Sequence, residues 1–126
     1  MGLYTDPYDM FGRLSQEMLR ACRLVVDTGI HAFGWSKHDA ILFMMSNTAA
    51  SQHTIEAEID RYITWPAQSV GYKIGEIKIK EMRRKAERKM GETFNVQKFH
   101  DLVASMGGVT INILEKKMDE FIEKGN

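Results

Sequence analysis

The stretch Asp6-Pro-Tyr-Asp-Met-Phe-Gly-Arg-Leu-Ser-Gln-Glu-Met-Leu-Arg-Ala-Cys-Arg-Leu-Val-Val-Asp-Thr28 predicts the fold class. Aspartate can cap the free amides at a helix start, and proline at the next position has no N–H to leave unpaired. Behind this start, apolar residues recur at steps of three and four, namely Leu14, Met18, Cys22 and Val25. The spacing predicts a long helix that buries one stripe.

The helical pattern continues along the rest of the chain, which has only two prolines. Capping residues, glycines or a proline separate five further helical segments. These segments are predicted to begin at about Ser36, Thr54, Pro66, Asn95 and Thr110. We therefore predict an all-α protein, an irregular array of about six helices. A single domain or domain fragment over residues 1–126 is expected, because domains of this length are common.

Charge and hydropathy argue against several partners. The 17 basic and 17 acidic residues give no net charge to attract a nucleic acid or an acidic membrane. The one basic run, residues 78–89, could form an RNA-binding face, but Glu81 and Glu87 interrupt it and favour a solvated, ion-paired helix. No apolar run reaches the roughly 18 residues of a membrane span, and no secretory signal pattern opens the chain. We expect a soluble protein without nucleic-acid or membrane partners, and its compartment is left open.

Metal chemistry is not indicated by the sequence itself. The chain has four histidines, and none shows the His-Glu-x-x-His spacing that brings two imidazoles to one zinc ion. The lone Cys22 lies among apolar residues and is interpreted as a buried thiol. We expect no metal site and no cofactor in this chain.

A first candidate patch lies along the predicted first helix. Arg20, Arg23, Asp27 and His31 follow one another at helical spacing, provided that the helix continues past Gly29. Asp27 could then hold His31 in one tautomer. The alternative, an ordinary solvated face, is favoured by spacing alone.

A second candidate patch lies at the start of the predicted fourth helix, where Gln68, Gly71, Tyr72 and Gly75 share a face. Glycine inside a helix costs about 1 kcal/mol relative to alanine, so the two glycines predict a close approach by another group. That group is either a crossing helix or a substrate in a groove. A tyrosine hydroxyl beside a groove, here Tyr72, can donate a hydrogen bond to a developing oxyanion.

Specific motifs spread over essentially the whole chain point to a known family. They are Gly2-Leu-Tyr-Thr-Asp-Pro-Tyr-Asp-Met-Phe-Gly-Arg-Leu, Arg23-Leu-Val-Val-Asp-Thr-Gly-Ile-His31, Gly34-Trp35, Glu58-Ile-Asp-Arg-Tyr62, Trp65-Pro66 with Gln68, and Tyr72-Lys-Ile-Gly75. With these motifs the chain resembles the family catalogued as domain of unknown function 885. It departs from the family at two places. It has Pro66-Ala67-Gln68 where the family often has Pro-Gly-Gln, and it lacks the acidic residue that is usual near His53.

The resemblance implies a fold and an activity. Family members are long, mostly helical proteins related to zinc peptidases of the thimet type. Their zinc ligands lie in a His-Glu-Ala-x-Pro-Gly-His-His segment and a later Glu-Gly-Trp segment, both upstream of the matched region. The chain is therefore expected to resemble the C-terminal section of such a fold, with zinc only in full-length relatives and no activity of its own. By resemblance, the candidate oxyanion donors are His31 and Tyr72, and the candidate substrate-binding residues are Arg23, Tyr62, Gln68, Gly71 and Gly75.

Peptides are the substrates that the resemblance implies for full-length relatives. The alternative from another class is a non-catalytic helical interaction module, which would bind a second copy of the chain or the missing N-terminal metal-binding half. A small RNA-binding helical domain is the third hypothesis, and it depends on residues 78–89 alone.

Overall fold

In a computed structural model that describes residues 4–125, these residues form six α-helices, two short 3-10 helices and no strand. The α-helices are α1 (Pro7–Phe33), α2 (Lys37–Asn47), α3 (Gln52–Thr64), α4 (Gly71–Met90), α5 (Val96–Ser105) and α6 (Ile111–Lys124). The 3-10 helices are Gln68–Val70 and Gly91–Thr93. The predicted all-α array of about six helices is confirmed. The chain divides into two compact units, Met1–Lys73 and Ile74–Asn126.

The predicted start of α1 is confirmed. The Asp6 carboxylate accepts a hydrogen bond from the backbone N–H of Tyr8 at 2.7 Å, and Pro7 occupies the first helical position. Gly29 does not end the helix, which continues to Phe33 and stops at Gly34 in the left-handed conformation (φ 70°). Glycine suits this terminal position because it has no Cβ to oppose a positive φ.

Local capping also defines later helices. The Ser36 hydroxyl accepts from the Asp39 N–H, and the Asp39 carboxylate accepts from the Ser36 N–H, so the predicted capping box is present at α2. The predicted start of α4 at about Pro66 is wrong. Ala67 adopts a left-handed backbone (φ 66°), a 3-10 turn follows, and α4 begins only at Gly71.

The core of the first unit lies between α1, α2 and α3. Its buried members are Cys22, Val26, Ala40, Met44, Ile55, Ile59 and Tyr62. The predicted stripe of α1 is correct only for Cys22, because Leu14, Met18 and Val25 are about half exposed. The core of this unit includes α1 residues only from Leu19 onward. The first half of α1 therefore has an apolar face that α2 and α3 do not cover.

The second unit has its own core between α4, α5 and α6. Its buried members are Met82, Ala86, Met90, Phe99, Leu114 and Met118. The charged residues of α4 form the predicted ion pairs: Lys78 lies 3.2 Å from Glu81, and Lys85 lies 2.5 Å from Asp119 of α6.

Candidate functional site

The polar residues of α1 are tied to α3 and to the segment that follows it. Asp27 is buried, and its two oxygens accept hydrogen bonds from the Ala67 N–H at 3.1 Å and from the Ser69 hydroxyl at 2.8 Å. Both oxygens are therefore used at the segment before α4. The predicted pairing of Asp27 with His31 is wrong, and so is the interpretation of this face as solvated.

A cluster of five side chains, which we call the Glu58 cluster, joins α1, α3 and the 3-10 turn. Its members are Arg23, Glu58, Arg61, Tyr62 and Gln68. Oε2 of Glu58 accepts three hydrogen bonds, from Nη2 of Arg23 at 2.7 Å, from Nη2 of Arg61 at 2.8 Å and from the Tyr62 hydroxyl at 2.7 Å. One carboxylate thus holds together groups from two helices.

The electrostatics of the Glu58 cluster follow from these contacts. Hydrogen bonds from Arg61, and then from Tyr62 and Arg23, lower the pKa of Glu58 from 4.5 to about 2 against the opposing effect of burial. Burial, followed by the hydrogen bond to Glu58, raises the pKa of Tyr62 to about 12. At neutral pH the cluster therefore contains two guanidinium groups, one carboxylate and a neutral phenol.

Three of the predicted substrate-binding residues meet in this cluster. Nε of Arg23 donates to the Tyr62 hydroxyl at 2.8 Å, and Nη1 of Arg61 donates to Oε1 of Gln68 at 2.6 Å. Among residues 4–125, every buried side-chain nitrogen and oxygen has a hydrogen-bond partner. The cluster is therefore internally satisfied, and its evident work is to fix α1, α3 and the turn to one another.

Two members of the cluster, Glu58 and Arg61, were not singled out by sequence analysis. Both stand in the motif Glu58-Ile-Asp-Arg-Tyr62 and are spaced three residues apart. Residues three and four apart on a helix lie on one face, so this spacing alone could have indicated that Glu58, Arg61 and Tyr62 interact.

His31 lies next to the Glu58 cluster. Its Nε2 is 3.0 Å from the carbonyl oxygen of Tyr62. Because a carbonyl oxygen only accepts, Nε2 carries the proton in this hydrogen bond. The ring itself is exposed at the end of α1.

Tyr72 lies beside a different part of α1. Its side chain is 62% exposed, and the Arg20 guanidinium is 5.7 Å from the centre of its ring. Arg20 and His31 are separated by eleven residues, which is about 16 Å along a helix axis. The two candidate oxyanion donors therefore do not meet: Tyr72 contacts Arg20, and His31 lies about three helical turns further along α1.

The first unit has an open groove along α1, which we call the α1 groove. It has a volume of about 460 Å³ and is lined by Leu14, Glu17, Met18, Ala21 and Lys73. Its surface is largely apolar, and Nζ of Lys73 lies 3.6 Å from Oε1 of Glu17. The sequence does not reveal this groove, because the spacing of Leu14 and Met18 predicts that both are buried in the core.

The predicted close approach at Gly71 and Gly75 is not observed among residues 4–125. A Cβ placed at either glycine would meet no described atom within 4 Å. No helix within residues 4–125 therefore makes the predicted tight crossing at these two glycines. Gly75 instead lines a cavity of about 220 Å³ in the second unit, together with Lys78, Val103 and other residues. The substrate-binding role of both glycines stays a prediction.

Metal-binding and membrane-spanning features can be assessed for the described part of the chain. Within residues 4–125, no three His, Cys, Asp or Glu side chains converge as metal ligands do. The residues present thus do not fit the zinc that the resemblance implies for longer relatives. No described helix combines the length and the apolar character that a membrane crossing requires.

Comparison with known proteins assigns the family. The model of a family described as bacterial proteins of unknown function, DUF885, matches residues 1–118. The chain belongs to this family. A crystal structure of "the putative lipoprotein from Colwellia psychrerythraea" matches 98% of this DUF885 chain with a TM-score of 0.94 and 39% sequence identity. No curated protein matches the chain.

The size of that relative bears on function. This DUF885 chain spans only 21% of the Colwellia psychrerythraea protein. Most of that protein therefore lies outside the matched section. The contacts within this section therefore do not by themselves assign an activity to the longer protein.

Proposed function

We propose that this DUF885 section binds and positions peptide substrates within a longer, metallopeptidase-like protein, and that the section is inactive by itself. The observation that carries the proposal is the α1 groove, whose lining residue Lys73 directly follows the exposed Tyr72 in the chain. Family membership and the much greater length of the Colwellia psychrerythraea relative support it.

The lining of the α1 groove suits a peptide. Leu14 and Met18 offer apolar contact to a substrate side chain, and methionine adapts to side chains of different shapes. Glu17 and Lys73, which are paired with each other, place one group of each charge in the wall of the groove. Such a combination of apolar walls and a few polar groups is typical of ligand sites.

Tyr72 is the candidate catalytic residue of the groove. The residue is exposed, and the Arg20 guanidinium lies over its ring, where a cation–π contact would favour one orientation of the phenol. In our proposal the hydroxyl donates a hydrogen bond to the oxyanion that forms when a peptide carbonyl is attacked.

His31 has a more restricted role in the proposal. With Nε2 donating to the Tyr62 carbonyl, His31 reaches a substrate through Nδ1. It can donate from Nδ1 only as an imidazolium, because a neutral ring has one N–H.

The residues of the Glu58 cluster act mainly by positioning. Arg23 already donates to Glu58 and Tyr62, so a substrate carboxylate would compete with Glu58 for it. We assign Arg23, Tyr62 and Gln68 to holding the helices that carry the groove. No step is assigned to zinc, since residues 4–125 supply no ligand set for it.

A chimera tests the proposal. This chain replaces the matched section of the Colwellia psychrerythraea protein, and hydrolysis of a peptide mixture is measured. We expect the chimera to hydrolyse peptides and the 126-residue chain alone not to. Tyr72→Phe should lower kcat of the chimera about 10- to 100-fold with little change in KM, because the lost hydrogen bond forms in the transition state.

Tyr4→Phe is the matched control, since it removes an exposed hydroxyl elsewhere and should leave kcat unchanged. Full kcat in the Tyr72→Phe chimera would contradict the role of the phenol. An inactive chimera, or chelator-sensitive hydrolysis by the 126-residue chain alone, would overturn the proposal as a whole.

A non-catalytic interaction module is the second candidate function. The exposed aromatic residues of α1, Tyr8 and Phe11, favour it. Sedimentation of the chain over a range of concentrations tests for self-association. A partner-binding role without catalysis would leave the chimera inactive in the peptide assay.

A further inference from the structure

One apolar stripe runs along α1 from Tyr8 to Val26 but is buried only at its C-terminal end, at Cys22 and Val26. Tyr8, Phe11, Met18, Cys22 and Val26 follow at steps of three, seven, four and four residues and so lie on one face. Their exposed fractions are 85, 61, 50, 4 and 0%. Met18 also lines the α1 groove, so the name α1 stripe is kept for the exposed part from Tyr8 to Phe11.

Side chains of α1 become exposed beyond the part of the helix that α2 and α3 cover. Helix α1 has 27 residues, whereas α2 and α3 have 11 and 13. Tyr8 and Cys22 are separated by fourteen residues, about 21 Å of helix. The apolar face of α1 that packs against α2 and α3 thus extends beyond these two helices, and they leave that extension uncovered.

A glycine beside the α1 stripe points to close packing by another surface. Gly12 lies one helical turn after Tyr8, and a Cβ placed on it would meet no described atom within 4 Å. Glycine inside a helix is unfavourable by about 1 kcal/mol relative to alanine. Nothing within residues 4–125 uses this small residue, whereas a surface packed directly on α1 would.

We propose that the α1 stripe packs against the polypeptide that longer DUF885 proteins have outside the matched section. The Colwellia psychrerythraea protein has the same fold over this section, and the section is only 21% of its length. Ample chain therefore exists to cover the stripe. The inference rests on one part of the proposed function, namely that the section is joined to a longer polypeptide.

The area of the stripe favours this occupant over a second copy. A large aromatic side chain buries about 150–250 Å². From their exposed fractions, Tyr8 and Phe11 together offer roughly 300 Å² per copy, against about 800 Å² per partner in a typical stable complex. A covalently joined surface needs less area, because it loses little translational freedom on packing.

Thiol labelling tests the inference without disturbing the fold. Phe11→Cys is made in the 126-residue chain and in the chimera, and its modification by a thiol reagent is followed by peptide mass spectrometry. Cys22 adds no background, because it is buried and burial raises the pKa of its thiol. We expect labelling of Phe11→Cys to be about tenfold or more slower in the chimera than in the 126-residue chain.

Leu42→Cys is the matched control, since Leu42 is an apolar residue of α2 that is 50% exposed and lies off the α1 stripe. It should label at the same rate in both proteins. Equal rates for Phe11→Cys in the two proteins would overturn the inference. Protection that is already present in the 126-residue chain and rises with its concentration would show a second copy instead, and would overturn it as well.

The labelling result is independent of catalysis. A chimera that protects Phe11→Cys but hydrolyses no peptide refutes the proposed function and leaves this inference standing. A chimera whose hydrolysis depends on Tyr72 but whose Phe11→Cys variant labels freely supports the proposed function and refutes this inference.

Discussion

The indole ring of Trp35 lies directly against Gly29 of α1. A Cβ at Gly29 would stand 2.5 Å from Cδ2 of Trp35, closer than unbonded carbon atoms approach. The backbone N–H of Trp35 donates to the Gly29 carbonyl at 2.9 Å, and the centre of the Trp35 ring lies 5.6 Å from that of the Phe43 ring. The chain therefore folds back over Gly29, and a side chain at this position would have to displace the indole.

Gly29→Ala should destabilise the protein by about 1–3 kcal/mol, because the added methyl group displaces a packed indole. Gly12→Ala is the matched control in the same helix, where a Cβ would meet no described atom within 4 Å. It should stabilise the protein by about 0.5–1 kcal/mol through helix propensity. Urea unfolding monitored by circular dichroism measures both. Equal effects at the two glycines would contradict the close contact.

Glu58→Gln should lower the free energy of unfolding by about 1–3 kcal/mol, since it removes the charge that holds Arg23 and Arg61 together. Glu92→Gln serves as the control, because Glu92 is an exposed residue of the second 3-10 helix. Denaturant unfolding compares the two variants. A loss no larger than that of Glu92→Gln would show that the cluster contributes little.

Acid should weaken the first unit in a defined pH window. The folded pKa of Glu58, about 2, lies below its ordinary value of 4.5, so folding is favoured by the ionised carboxylate. This stabilisation is complete above pH 4.5 and is lost as the pH falls toward 2. Unfolding free energies measured across this window should fall more steeply for the wild type than for Glu58→Gln. Parallel curves would mean that another carboxylate dominates.

Ala67→Gly should stabilise the protein by about 0.5–1 kcal/mol, because a left-handed backbone is strained for alanine and free for glycine. The position is also one where the resembled family often has glycine. Ala57→Gly, in the middle of α3, is the reverse control and should destabilise by about 1 kcal/mol. Thermal unfolding midpoints give the order of the two variants, and a lower midpoint for Ala67→Gly would contradict the strain.

Features encoded by neighbouring residues could be predicted from the sequence. The caps at Asp6, Ser36 and Asn95 all bond to amides two or three residues away, and all three are present. The helix count followed from such signals. Local chemistry decides these features, so tertiary packing had little power to change them.

Features that depend on distant contacts could not be predicted in the same way. Leu14 and Met18 have the spacing of core residues, but no helix of the first unit covers them. Periodicity shows that a face is apolar and cannot show what lies on it. Asp27 has the same limitation, since its partners follow some forty residues later and no spacing rule connects them.

The bonds of Asp27 also bear on how the first unit forms. Its two partners, Ala67 and Ser69, are 40 and 42 residues away along the chain. Helices elongate within about a microsecond, but bringing such distant residues together requires the intervening chain to give up entropy first. We therefore expect the bonds of Asp27 to form after the helices that they join, because closing this loop costs entropy that local helix formation does not.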